Sequence, residues 1–141
     1  MTVVIDASLA VKWFLLEADS AAARAILAER IGDICVPAIF GIEVVATLVR
    51  EANNDKPHAD TMRDAIARLT SLMSDGSIEP QPQTPAQLVR AANIAIDLGH
   101  PLKDCLYLAL AMELGCDLVT CDARFAAKAK RVWERVRVLG A

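Results

Sequence analysis

The chain reads as an α/β protein, a parallel sheet of four to five strands sandwiched by helices in three layers. Two observations predict this. Short β-branched runs alternate with longer stretches of helical periodicity, the pattern of strands joined by crossover helices. The chain is also rich in apolar residues, 55% of 141, with a mean hydropathy of +0.35, as expected when strands are buried on both faces. The length suits one domain spanning 1–141.

The elements follow in order. Thr2–Ile5 is a β-branched strand ending at Asp6, and Ser8 is expected to cap a helix through Leu16. Ser20–Ile31 is alanine-rich and helical, closed by Gly32; Ile34–Val36 is a second strand, stopped by Pro37. Ile39–Ala52 is a helix ended by the Asn53–Pro57 cluster. His58–Met73 carries Met62, Ala65, Ile66, Leu69, Leu72 and Met73 at helical spacing. After a short strand at Ile78–Glu79 and a connector over Pro80–Pro85, a helix starts at Thr84 or Pro85 and runs to about Leu98, where Gly99 stops it. Leu102–Leu114 is apolar nearly all round, hence a central buried helix. Leu118–Thr120, Ala123–Arg131 and Val136–Leu139 complete the chain as strand, helix and strand.

Composition excludes several classes. With only six Gly and six Pro, the chain is neither low-complexity nor collagen-like. Its apolar runs Ile34–Ile42 and Cys105–Met112 fall far short of the ~20 residues that span a bilayer. The start has no basic region or cleavage pattern of a signal peptide, so a cytoplasmic location without membrane association is expected. Cys35, Cys105, Cys116 and Cys121 lack zinc-knuckle spacing and read as buried small hydrophobes. His58 and His100 are too few and too isolated for a histidine metal site. From Arg124 onward the chain carries a net +5, which leaves −8 on residues 1–123. A basic end on an acidic body fits a polyanion-binding rim beside a carboxylate site, or simply a solvated helix face.

The carboxylates carry the chemistry. Ligands of open α/β sheets bind at the carboxyl ends of strands, where Asp6 and Asp122 fall. Asp104 lies in the first turn of the central helix, where the helix dipole favours an acid. Glu43 has apolar sequence neighbours. It either belongs to a solvent-facing stripe with Thr47 and Arg50, or joins the other acids if its helix packs beside the sheet edge. Four carboxylates at one place repel by roughly 3 kcal/mol per pair at about 5 Å, so they either take up protons or bind a cation. Oxygen-only ligands select Mg²⁺ or Mn²⁺, whose chemistry is in-line phosphoryl displacement by an activated water. No Gly-x-Ser-x-Gly, His-Glu-x-x-His or phosphate-binding glycine loop competes. A haloacid-dehalogenase-like phosphatase would need an acid where Ser8 stands, and a receiver domain would need a paired acid near Asp6.

Four segments, in order, resemble the PIN-domain ribonucleases and especially VapC-type toxins of type II toxin–antitoxin pairs. They are Val-Val-Ile-Asp-Ala-Ser-Leu-Ala from Val3, Gly-Ile-Glu-Val-Val around Glu43, Asp-Cys-Leu-Tyr-Leu-Ala-Leu-Ala from Asp104, and Leu-Val-Thr-Cys-Asp-Ala-Arg-Phe around Asp122. The resemblance implies a Mg²⁺- or Mn²⁺-dependent endoribonuclease in which Asp6, Glu43, Asp104 and Asp122 are both catalytic and metal-binding. It implies that Ser8 and Thr120 orient these carboxylates by hydrogen bonds, and that cleavage leaves a 5′-phosphate and a 3′-hydroxyl. It also implies a cognate VapB-like antitoxin, for which the helices Ile39–Ala52 and His58–Met73 offer an apolar groove, and a homodimer. Lys103 departs from the pattern, since relatives often have an aromatic residue just before this aspartate; it either alters substrate contact or adds a phosphate-facing charge, and it removes no acid. Together with Arg124, Lys128, Lys130 and Arg131 it is the candidate RNA-binding set. The competing reading is a catalytically inert PIN-like interaction module.

Overall fold

The structure, a computed structural model, describes residues 1–140. Five strands form one sheet: β1 (Val3–Ile5), β2 (Ile34–Pro37), β3 (Ile78–Gln81), β4 (Asp117–Thr120) and β5 (Val136–Val138). All neighbours are parallel, in the order β3-β2-β1-β4-β5. Seven α-helices connect them: α1 (Ala7–Val11), α2 (Ser20–Arg30), α3 (Phe40–Asn54), α4 (Ala59–Ser74), α5 (Pro85–Leu98), α6 (Leu102–Leu114) and α7 (Ala123–Ala129). A 3-10 turn at Lys56–His58 separates α3 from α4.

The strand order determines where each helix lies. The chain steps leftward from β1 to β2 to β3, then crosses back to β4 and β5. Right-handed crossovers therefore put α1–α4 on one face and α5–α7 on the other, a three-layer α/β/α architecture. The direction of winding reverses between β1 and β4, so their carboxyl ends diverge into a crevice. Asp6 and Asp122 follow those two ends.

The core explains the apolar surplus. Val3, Val4, Ile5, Ile34, Val36 and Leu118 are all 2% exposed or less, as expected for strands covered on both sides. Every residue of α6 from Cys105 to Ala111 is buried, so this helix is central, as its sequence predicts. Gly99 ends α5 in the left-handed conformation (φ 62°, ψ 45°), which costs a residue with a Cβ about 1–2 kcal/mol. At the other end of α5, Thr84 and Gln87 form a reciprocal capping box.

Several expectations need correction. Asp6, not Ser8, caps α1, accepting a hydrogen bond from the Leu9 amide (3.1 Å). The helix stops at Val11 rather than Leu16, and Leu16 is exposed. β2 ends at Pro37 but includes it, one residue beyond Val36, at a position that faces Gln81 of β3 beyond the reach of β1. Pro80 likewise lies inside β3, an edge strand, where a missing N–H is tolerated. The last helix ends at Ala129, not Arg131. Cys105 and Cys116 are buried, but Cys35 and Cys121 are partly exposed; all four are free thiols. Among the described residues no helix is long and apolar enough to cross a membrane.

Candidate active site

The crevice between the β1 and β4 ends opens into a cavity of about 610 Å³ whose wall includes Asp6, Glu43, Asp104 and Asp122. Four separate elements deliver these carboxylates. Each is held differently.

Asp6 is 4% exposed and is the most heavily bonded. Its Oδ1 accepts from the Ser8 hydroxyl (2.7 Å) and the Leu9 amide (3.1 Å), and its Oδ2 from the Thr120 hydroxyl. Burial nevertheless pushes its carboxyl up to about 6, against the lowering effect of those three donors and with a smaller upward push from the Asp104 charge. Thr120 does a second job, accepting the Asp122 amide on its hydroxyl oxygen (3.0 Å). Asp122 in turn caps α7, its Oδ1 accepting from the Phe125 amide (3.0 Å).

Glu43 lies in the first turn of α3 with a side chain 18% exposed. Of its two possible placements, the structure shows the one inside the crevice. The Tyr107 hydroxyl donates to its Oε1 (2.8 Å), and Lys103 Nζ lies 3.8 Å from its Oε2. Burial, reinforced by the Glu43 charge, holds the Tyr107 phenol far above its ordinary value, so it remains a donor. Asp104, in the first turn of α6, has its Oδ2 against His100 Nε2 at 2.6 Å. The imidazole stacks on Phe125, ring centroids 4.8 Å apart.

The basic residues divide. Lys12, Arg50 and Lys103 line the crevice with the acids, and Lys12 forms ion pairs with Glu17 (3.0 Å) and Asp19 (3.9 Å). Arg124 is exposed one residue into α7, two positions from Asp122. Lys128 hydrogen-bonds the Gly99 carbonyl (3.0 Å). Lys130 and Arg131 follow the end of α7, about 12 Å or more along its axis from Asp122, and are not part of the crevice wall. Arg135 and Arg137, which also contribute to the basic tail, pair with Asp117 (2.8 and 3.4 Å). Sequence reasoning missed Lys12, Tyr107 and His100, and gave Arg50 no role beyond a solvent-facing stripe. The one local signal was the i, i+4 spacing of His100 and Asp104, which crosses Pro101 into the first turn of α6.

The donor chemistry suits a hard divalent cation: four carboxylates on one wall, one so desolvated that it resists ionising without a counter-charge. Among the described residues no three acids, histidines or cysteines already close into a ligand cluster. Neither nearby thiol offers a nucleophile, because burial pushes Cys105 and Cys121 up to about 11.

A sheet with a switch-point crevice lined by four acids defines an α/β protein equipped for electrophile or metal chemistry at its strand ends. The family model described as the PIN domain matches residues 3–131, and the chain belongs to that family, whose fold is generally that of nucleases and whose members generally use divalent metals. Among solved structures it is similar to PAE2754 from Pyrobaculum aerophilum, with a TM-score of 0.71 and 21% identity over 98% of this chain and 84% of that one. No curated protein matches the chain in sequence.

Proposed function

We propose that the chain is a Mg²⁺- or Mn²⁺-dependent endoribonuclease and the toxin of a toxin–antitoxin pair. The observation that carries the first part is the convergence of Asp6, Glu43, Asp104 and Asp122 on one crevice at the sheet's switch point. A divalent ion bound there supplies an activated water and charge neutralisation for attack at phosphorus. Asp6 is the fixed anchor, because three donors immobilise it. Asp104 and Glu43 present carboxylate oxygens from helices α6 and α3, and Asp122 completes the set from the cap of α7. Lys103, Lys12 and Arg50 flank the acids and suit the phosphates next to the cut. Arg124, Lys128, Lys130 and Arg131 extend that positive rim along α7, with Lys128 dividing its charge between RNA and the Gly99 carbonyl. Such contacts position a strand without reading its bases.

The toxin assignment rests on the resemblance and is supported by a partner-sized apolar feature. A groove of about 560 Å³ runs between α3 and α4, lined by Ala38, Gly41, Ile42, Val45, Leu69 and Met73, and Ile42 is 73% exposed. An amphipathic antitoxin segment laid into it would end at the mouth of the crevice, because Ile42 lines both. A homodimer would bury the exposed Val89 and Ile96 of α5.

The deciding experiment is cleavage of a mixed RNA pool by the purified, antitoxin-free chain in Mg²⁺ or Mn²⁺. EDTA and Asp104→Asn serve as controls. Cuts that vanish in both, with 5′-phosphate ends, are expected. An intact fold that neither binds Mn²⁺ nor cuts RNA would overturn the assignment in favour of a non-catalytic interaction module.

A further inference from the structure

The metal reading leaves one buried polar group without a role. His100 has a side chain only 10% exposed, and its Nδ1 is buried with no hydrogen-bond partner among the described residues. Its Nε2 lies 2.6 Å from Asp104 Oδ2. A ring protonated on Nδ1 would bury an N–H with no acceptor, whereas an unpaired ring lone pair is the smaller loss. The proton therefore sits on Nε2 and points at Asp104.

We propose that His100 is the positioning residue for Asp104: an imidazole, locked from three sides, that fixes one oxygen of this carboxylate so the other faces the crevice. The inference rests on the metal-site reading and adds to it the device that orients one ligand. Three features lock the ring. Gly99, in its left-handed conformation, turns the chain so that His100 folds back over the start of α6. Phe125 stacks on the ring face, and Lys128 Nζ grips the Gly99 carbonyl. Both of these come from α7, the helix that Asp122 caps, so one helix supports two of the four acids.

A merely structural role is the alternative, since the same contact ties down the first turn of α6. The test separates them on the full chain. Mn²⁺ affinity is measured by calorimetry for wild type, His100→Ala, His100→Gln and His100→Asn, with thermal melting in EDTA alongside. His100→Ala is expected to weaken Mn²⁺ binding about 10–100-fold, the usual cost of losing an outer partner of a metal ligand. The glutamine amide donates from nearly the place of Nε2 and should restore affinity to within several-fold, whereas asparagine, which mimics Nδ1, should not. If the alanine chain does not fold, the glutamine–asparagine pair carries the decision. ¹⁵N spectra of the metal-free chain should show a proton on His100 Nε2. Wild-type Mn²⁺ binding that survives all three substitutions, or an Nε2 that carries no proton, would overturn the positioning role alone. A wild type that binds no Mn²⁺ would overturn the metal site and the positioning role together.

Discussion

Asp6 and Glu43 share a crevice wall but stand in opposite mechanical situations. Asp6 follows a central strand, is almost wholly buried, and has three donors from β4 and from its own turn. Glu43 sits on a helix and depends on one phenol 64 residues away and a lysine at 3.8 Å. Asp122 belongs with Asp6, sharing Thr120 with it; Asp104 belongs with Glu43, held by a single imidazole. The strand-borne pair is fixed by several donors close to the sheet edge, and each member of the helix-borne pair relies on a single side-chain hydrogen bond. Over-determination has a consequence for stability. A carboxylate fixed so deeply is a liability to the folded chain until an ion neutralises it.

The largest effect expected from breaking this contrast is at Asp6. Asp6→Asn should cut RNA cleavage by more than about 100-fold, beyond what losing an outer partner costs. The same substitution should stabilise the metal-free fold. Between pH 4 and 6 the unfolded chain releases the Asp6 proton while the folded chain keeps it, so wild-type stability falls as pH rises through that window. Above pH 6 the deficit levels at about 3 kcal/mol, and the amide variant should recover about 1–3 kcal/mol of it. Urea melts in EDTA at pH 4 and 7 measure this, with the two chains converging at the lower pH.

Thr120→Val is next. It strips Asp6 Oδ2 of its donor and the Asp122 amide of its acceptor, which should cost about 1–3 kcal/mol in the same melts. On the helix-borne side, Tyr107→Phe should cost less stability and act mainly on function. Losing the donor to Glu43 should lower cleavage by about 10-fold, one decade per 1.4 kcal/mol of charge-assisted bond. The smallest effects concern RNA affinity. Arg50→Ala should weaken binding and lower the salt slope by about 1, while Lys130→Ala, outside the crevice wall, should change both less. Filter binding at several salt concentrations distinguishes them.

The same contrast explains what the sequence made legible. Asp6 and Asp122 are visible because strand ends are local events: a β-branched run stops, and a parallel sheet puts that stop at the ligand edge. The helices with strong local signals, α5 with its Thr84 cap and Gly99 stop and α6 apolar nearly all round, lie where the periodicity puts them. What was not legible depends on contacts distant in sequence. Nothing near Tyr107 reveals that its hydroxyl reaches Glu43, so it reads as core. His100 reads as isolated because its partner lies across Pro101, in a turn whose shape Gly99 decides. Ser8 reads as the cap of α1 because serine is a common cap; the extended backbone at Asp6 and its amide bond from Leu9 give the position to the acid. The basic tail reads as an RNA rim or a solvated face; in the fold Asp117 takes up two of its arginines and the Gly99 carbonyl its Lys128.

The central claim is that carboxylates from a rigid strand frame and from two helices form one divalent-metal site. Calorimetric titration of Mn²⁺ into the metal-free chain, beside Asp6→Asn and Asp104→Asn, tests it most directly. Saturable binding in the wild type that fails in both variants is the predicted result. A folded wild type that takes up no Mn²⁺, or variants that bind it as the wild type does, would contradict the claim.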